Sequence, residues 1–245
     1  MTRSRFGRRV WVILVAAVVL GIAAAALGAE RSTSRQSATV KFADHRSGHP
    51  SGLRLRIDYV NPADSSAKPP AVRHVVLALA RGARFDTTIP ARCGASDAEL
   101  MSLGTSACPA RSIVGAGVIT LDTGVSGPGR FVTSDTVFLN NAHELIFLNT
   151  VRGTGQRVVV RASVTRRKTI TDASFLPGTP PDGAAIDTVR IDLFPVSRVI
   201  GGHRRGYITT PTRCPARGFW INRAGFTYYD GVSQSVKNPS PCSHR

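Results

Sequence analysis

Residues 53–60 read LRLRIDYV, in strict alternation. Leu53, Leu55, Ile57 and Tyr59 fall on one side, and Arg54, Arg56 and Asp58 on the other. A period of two marks a β-strand with one face in a core and one in water. TVRIDLFPV (188–196) repeats the pattern, with Val189, Ile191 and Leu193 set against Arg190 and Asp192. In RVVVRASVTRR (157–167), Val158, Val160, Ala162 and Val164 oppose Arg161, Ser163 and Thr165. VVLALA (75–80), GVITLD (117–122), FVTSDTVFL (131–139), ELIFLNT (144–150) and GFTYY (225–229) extend the set. The separators are turn-forming: NPADSSAKPP (61–70), SGPG (126–129), NNAH (140–143), RGTG (152–155), LPGTPPDG (176–183) and GGHRRG (201–206). Many short strands at regular spacing predict an all-β fold, a single antiparallel β-sandwich-like domain over 39–245. One stretch argues for helix. In ASDAELMSLG (95–104), Ser96 and Glu99 form a capping box and Gly104 is a terminator.

The N-terminus follows a different rule. Arg3, Arg5, Arg8 and Arg9, with no acid among them, precede an apolar run from Val10 to Ala29. A charged segment followed by a hydrophobic one is the layout of an export signal, and Ala24, Ala26, Gly28 and Ala29 supply small residues for cleavage. The run also approaches the roughly 20 residues that span a bilayer, so an uncleaved anchor is the rival reading. Positive charge before the run keeps that end cytoplasmic, and both readings put the remainder outside. Residues 30–38 (ERSTSRQSA) read as a polar linker. Without residues 1–29, the chain keeps 28 basic residues against 15 acidic ones, a charge of +13.

The tetrapeptide CPAR occurs twice, at 108–111 and 214–217, and includes two of the four cysteines. In an exported chain four cysteines are most simply two disulfides. Three pairings are open, and Cys93–Cys108 with Cys214–Cys242 closes the shortest loops. No two cysteines lie closer than fifteen positions, so neither C-x-x-C redox chemistry nor a paired-cysteine metal site fits.

The search for chemistry finds no constellation. His143-Glu144 lacks the second histidine of a metalloprotease helix, because Phe147 stands there. GTSAC (104–108) is no nucleophile elbow. Gly115-Ala116-Gly117 precedes a strand, where a phosphate loop should follow one, and reads as a turn or bulge pair. Asp58, Asp187 and Asp192 occupy outward strand positions. Two basic stretches remain as ligand-binding candidates: His203, Arg204 and Arg205 in GGHRRG, and Arg166, Arg167 and Lys168 in TRRK. Arginine presents a planar fork of donors suited to phosphate or carboxylate. The cluster Phe219, Trp220, Phe226, Tyr228 and Tyr229 reads as core before it reads as a carbohydrate platform. No metal or other cofactor is expected, and no aromatic-plus-basic module points to nucleic acid.

Two stretches carry a resemblance. IPARCGASDAELMSLGTSACPARSIVGAG (89–117) and TPTRCPARGFW (210–220) resemble segments of exported proteins of unknown function from high-GC Gram-positive bacteria. The matching elements are Pro90 to Cys93, then Ala107-Cys108-Pro109 with Ser112, Val114, Gly115 and Gly117, and Thr210 to Trp220. The resemblance implies a secreted, β-rich, disulfide-stapled domain and transfers no catalytic residue. The expectation is a non-catalytic extracytoplasmic binding or cell-envelope protein, whose basic surface suits an anionic wall polymer or a membrane headgroup. The alternative is a secreted hydrolase whose Asp, His and Ser residues assemble from distant positions.

Overall fold

The computed structural model describes residues 33–173 and 175–243. The signal or anchor reading of 1–29 and the first residues of the linker lie outside the described residues. Eleven strands form one antiparallel sheet. In spatial order they are β1 (Gln36–Phe42), β3 (Leu53–Tyr59), β11 (Ala185–Leu193), β6 (Ile113–Asp122), β7 (Phe131–Asn141), β8 (Glu144–Val151), β9 (Arg157–Val164), β10 (Lys168–Asp172), β4 (Val72–Ala78), β15 (Phe219–Tyr228) and β16 (Ser233–Pro241). The sheet curls until β16 lies against β1, so the architecture is a nearly closed barrel. This corrects the expected two-sheet sandwich. Alternation reports only that one face is buried, and a sandwich and a barrel share that property.

The seam has its own chemistry. An odd number of antiparallel strands leaves the two edge strands parallel, so the antiparallel ladder cannot continue across the gap. Side chains of β16 close it. The Val40 amide donates to Asn238 Oδ1 at 3.2 Å and the Phe42 amide to Ser240 Oγ at 2.9 Å, while the Arg35 amide reaches Gln234 Oε1 at 3.0 Å. From β15, Asn222 Nδ2 donates to the Val40 carbonyl at 3.0 Å. Asn222, Asn238 and Ser240 are buried, and each polar group meets a backbone group that would otherwise be orphaned. The linker reading of 30–38 is corrected at its end, since Gln36–Ala38 already belong to β1.

The two ends of the barrel differ. At one end the long connections 79–112 and 194–218 fold back as a cap. Within the cap, β2 (Pro50–Ser51), β14 (Ile208–Thr209) and β5 (Arg84–Phe85) form a small sheet in that order. Tyr207, Ile208, Phe85, Leu79 and Trp220 fill the space beneath it, and Phe42 meets Trp220 edge-to-face at 5.5 Å. The 194–218 connection also carries a hairpin, β12 (Ser197–Ile200) with β13 (His203–Gly206), joined by Gly201 and Gly202 at positive φ. In the GGHRRG segment only Gly201 and Gly202 are turn and His203–Gly206 are strand, a correction of its reading as a plain separator. A Gly-Gly turn between two short runs is the signal that identifies such a hairpin.

The expected helix is α1 (Asp97–Leu103), with the Ser96–Glu99 capping box in place. It lies on the outer face of β7–β9, where Leu139, Ile146 and Leu148 form a second core with Leu100 and Cys93. Arg161 on β9 holds the helix start through Asp97 Oδ1 (2.7 Å) and the Ala95 carbonyl (2.9 Å), and also binds Glu144 Oε2 (2.7 Å). Arg157 donates to the Met101 and Ser102 carbonyls, placing a cation at the negative end of the helix.

Both disulfides join the expected partners, Cys93 to Cys108 and Cys214 to Cys242. Both sit at the capped end. The first closes a loop around α1 within the 79–112 connection, whose Cys93 amide donates to the Asn140 carbonyl of the wall at 2.8 Å, and the second ties the end of the seam strand β16 to the cap. Such bridges fit an oxidising, non-cytoplasmic compartment. No described helix is long and apolar enough to cross a membrane.

Candidate functional site

The end opposite the cap is built from the turns 60–71, 123–130, 152–156, 175–184 and 229–232. Above it the interior is not filled. A cavity of about 220 Å³ lies between inward side chains of β3, β4, β6, β8, β9 and β11. Leu55, Val75, Ile119, Phe147, Val158 and Val160 all face inward and line it, yet each is only half-buried, because its free surface borders the cavity. Polar groups are few. Asn149 is engaged by Thr136 Oγ1 at 2.7 Å, and Ser134, Thr169 and Thr171 add hydroxyls. Tyr59 also lines the space. Burial, with Tyr228 beside it, pushes its phenol far above the ordinary value and keeps it neutral.

The segment 175–184 lies over the mouth, with Phe175, Leu176, Asp182 and Ala184 among the lining residues. Lys68 fixes it by donating to the Thr179 and Gly183 carbonyls, each at 2.6 Å. Tyr229 donates to the Ala173 carbonyl and meets the Phe175 ring edge-on at 6.3 Å. The two Pro-rich segments that read as separators thus meet at the cavity mouth, through a lysine that carried no signal in the sequence. Phe175, Phe131, Val125 and Val232 are exposed at this end.

The capped end is cationic. A groove of about 360 Å³ there is lined by Arg81, Arg167, Arg217 and Arg223, with Pro215 and Trp220 among the other residues. Of the residues proposed from sequence, Arg167 lies in this groove and Lys168 opens β10 next to it. Arg166 supplies its carbonyl to the Phe85 amide. On the other side of β5, Arg205 Nη2 approaches Asp86 Oδ2 at 3.4 Å, and Arg204 Nη1 donates to Ser197 Oγ. The structure therefore brings the two basic stretches to one end, flanking Arg84–Asp86, but only Arg167 enters the groove. Arg81, Arg217 and Arg223 were missed because each stands alone in sequence. His203 is exposed on its hairpin beside Val199 and Ile200, which are also exposed.

The aspartates are accounted for. Asp192 pairs with Arg54 and Arg56, and Asp58 with Arg190, across the outer wall. Asp187 sits at a bulge in β11. His74 Nδ1 lies 2.6 Å from Asp172 Oδ1, also on the outer wall, while the described residues lining the cavity include no histidine. Trp220, Phe226 and Tyr228 of the aromatic cluster are buried, and the Trp220 indole donates to the Arg213 carbonyl. No known family model matches the chain, and no curated protein matches it significantly.

Proposed function

We propose that this protein is a non-catalytic extracytoplasmic binding protein whose barrel accepts an apolar group, such as a hydrocarbon ring or a short acyl chain. One observation carries the reading: the open half of the barrel presents half-buried aliphatic side chains to an unfilled cavity, in which apolar residues far outnumber polar ones. Ligand sites are typically concave and mostly apolar, with a few placed polar groups. An apolar cavity of roughly 150 Å³ stays dry and takes up benzene, so about 220 Å³ is room for a group of that kind. The two disulfides and the arginine-led apolar run at 10–29 support placing the protein outside the cytoplasm. The resemblance to exported proteins of high-GC Gram-positive bacteria agrees with that placement.

The experiment is a titration of the purified full chain with N-phenyl-1-naphthylamine, a neutral probe that fluoresces in apolar surroundings. Saturable binding is expected. It should be lost in Val160→Phe, which fills the cavity, and kept in Val199→Ser, which removes an exposed apolar side chain at the far end. Equal binding by Val160→Phe and the parent protein, or no saturation in the parent, would overturn the reading.

A further inference from the structure

We propose that the arginine-lined groove at the capped end is a binding site for phosphate-bearing anions, separate from the apolar cavity. The inference does not depend on what the cavity holds. Four arginines from four separate segments line the groove: Arg81 after β4, Arg167 in the β9–β10 turn, Arg217 from the second CPAR, and Arg223 on β15. Among the described residues none of them takes part in an ion pair, although ten described carboxylates are engaged in such pairs elsewhere. Two are already held in place. Arg167 donates to the Leu79 carbonyl at 3.3 Å, and Arg217 lies 5.0 Å from the Phe219 ring centroid while donating to the Phe219 carbonyl. Each keeps further N–H groups for a ligand.

The positive charge continues beyond the groove. Lys168 stands opposite Ala78, Ala78 opposite Arg223, and Arg223 opposite Lys237, so one outward row crosses β10, β4, β15 and β16. Like charges directly opposite on a sheet destabilise it. With no carboxylate among the described groove residues, that repulsion stands uncompensated until an anion arrives. Phosphate is the matching chemistry, because its oxygens accept the parallel N–H pairs that a guanidinium presents, and a linear array of phosphates would follow the row. Trp220 forms the wall of the groove and offers no stacking face, since it is buried and its N–H is spent on Arg213. Recognition here is therefore of the phosphate and not of an attached ring.

The phosphate could sit on a polymer or on a lipid headgroup, and the test separates these sources. Binding of the full chain is measured at about 0.15 M salt, where the Debye length is roughly 8 Å and diffuse attraction is damped. The probes are medium-chain inorganic polyphosphate, vesicles of phosphatidylglycerol in phosphatidylcholine, and phosphatidylcholine vesicles alone. The variant Arg167→Gln/Arg217→Gln/Arg223→Gln is compared with Arg92→Gln/Arg111→Gln/Arg198→Gln, which removes equal charge from exposed sites outside the groove. The groove variant should weaken binding at least about tenfold, and the control less than about threefold. Binding to polyphosphate alone assigns a polymer, binding to phosphatidylglycerol vesicles alone assigns a headgroup, and binding to both assigns phosphate in either setting. Equal losses in the two variants, or no binding to either anionic probe, would overturn the proposal.

Discussion

Replacing Asn238 or Ser240 by alanine tests whether side chains close the barrel. Each supplies the acceptor for one backbone amide of β1, Val40 for the first and Phe42 for the second. Both amides belong to residues that are almost wholly buried, so water has no easy route to replace the lost partner. A buried donor left unpaired costs about 1–3 kcal/mol, against a typical total stability of about 5–15 kcal/mol. In domains of roughly 150–250 residues each kcal/mol moves the melting midpoint by about 2–4 °C, so each variant should melt about 2–12 °C lower. Ser235→Ala, on the outward face of the same strand, is the control and should stay within about 0.5 kcal/mol. Guanidinium unfolding gives the energies, and amide exchange at Val40 and Phe42 gives the location. The disulfide at Cys242 holds the end of β16, so faster exchange should appear at those two amides while the far wall stays protected. If Asn238→Ala and Ser240→Ala both match the control, the seam is closed by something other than these bonds.

Two further perturbations probe the barrel wall. Gly117 lies where a β-carbon would stand 2.5 Å from the Arg190 carbonyl oxygen of the neighbouring strand. Gly117→Ala should therefore destabilise by about 1–3 kcal/mol, the cost of overpacking, and an unchanged or raised unfolding midpoint would refute that close approach. Asp187 has its carboxyl raised above the ordinary 3.8, first by burial and then by Asp122 and Asp58. A raised acid holds its proton longer in the folded state than in the unfolded state. Stability is thus lost as pH climbs from 3.8 through the raised value, and the loss persists above it. Asp187→Asn should melt higher than the parent at pH 7, with the advantage shrinking as pH falls through the raised value toward 3.8 and gone below it; an equal advantage at all pH values would contradict the titration.

Strands with one clean face were legible. Leu53–Tyr59 and Val189–Leu193 put the expected residues inward, and the Ser96–Glu99 box was legible because a helix cap is local chemistry. The runs in FVTSDTVFL and ELIFLNT alternate poorly for a physical reason: β7 and β8 carry the barrel core on one face and the helix-covered second core on the other. β16 escaped notice because its inward positions include Gln234, Asn238 and Ser240, and β1 is a short run whose first inward position is Gln36. Those residues serve the seam and erase the apolar half of the alternation. The arginine groove was legible only in Arg167 and its neighbour Lys168. Its other members come from three more segments, and no local pattern encodes a meeting that depends on the order of the strands.

That order also explains why the interior is empty at one end. A barrel of about eight strands is just wide enough for its own side chains to fill. Eleven strands enclose more space than inward valines and leucines can occupy, and unfilled volume in a core costs stability. At one end the chain spends parts of two long connections, the Cys214–Cys242 bridge and a three-stranded cap on filling that space. At the other it spends only the segment 175–184, held at its edge by Lys68 and Tyr229. Core packing alone would favour larger side chains at Val158, Val160 or Ile119, any of which could close the gap without disturbing the fold's outward face. Small aliphatic residues around a space that larger ones would fill are the arrangement expected when the occupant is a separate molecule.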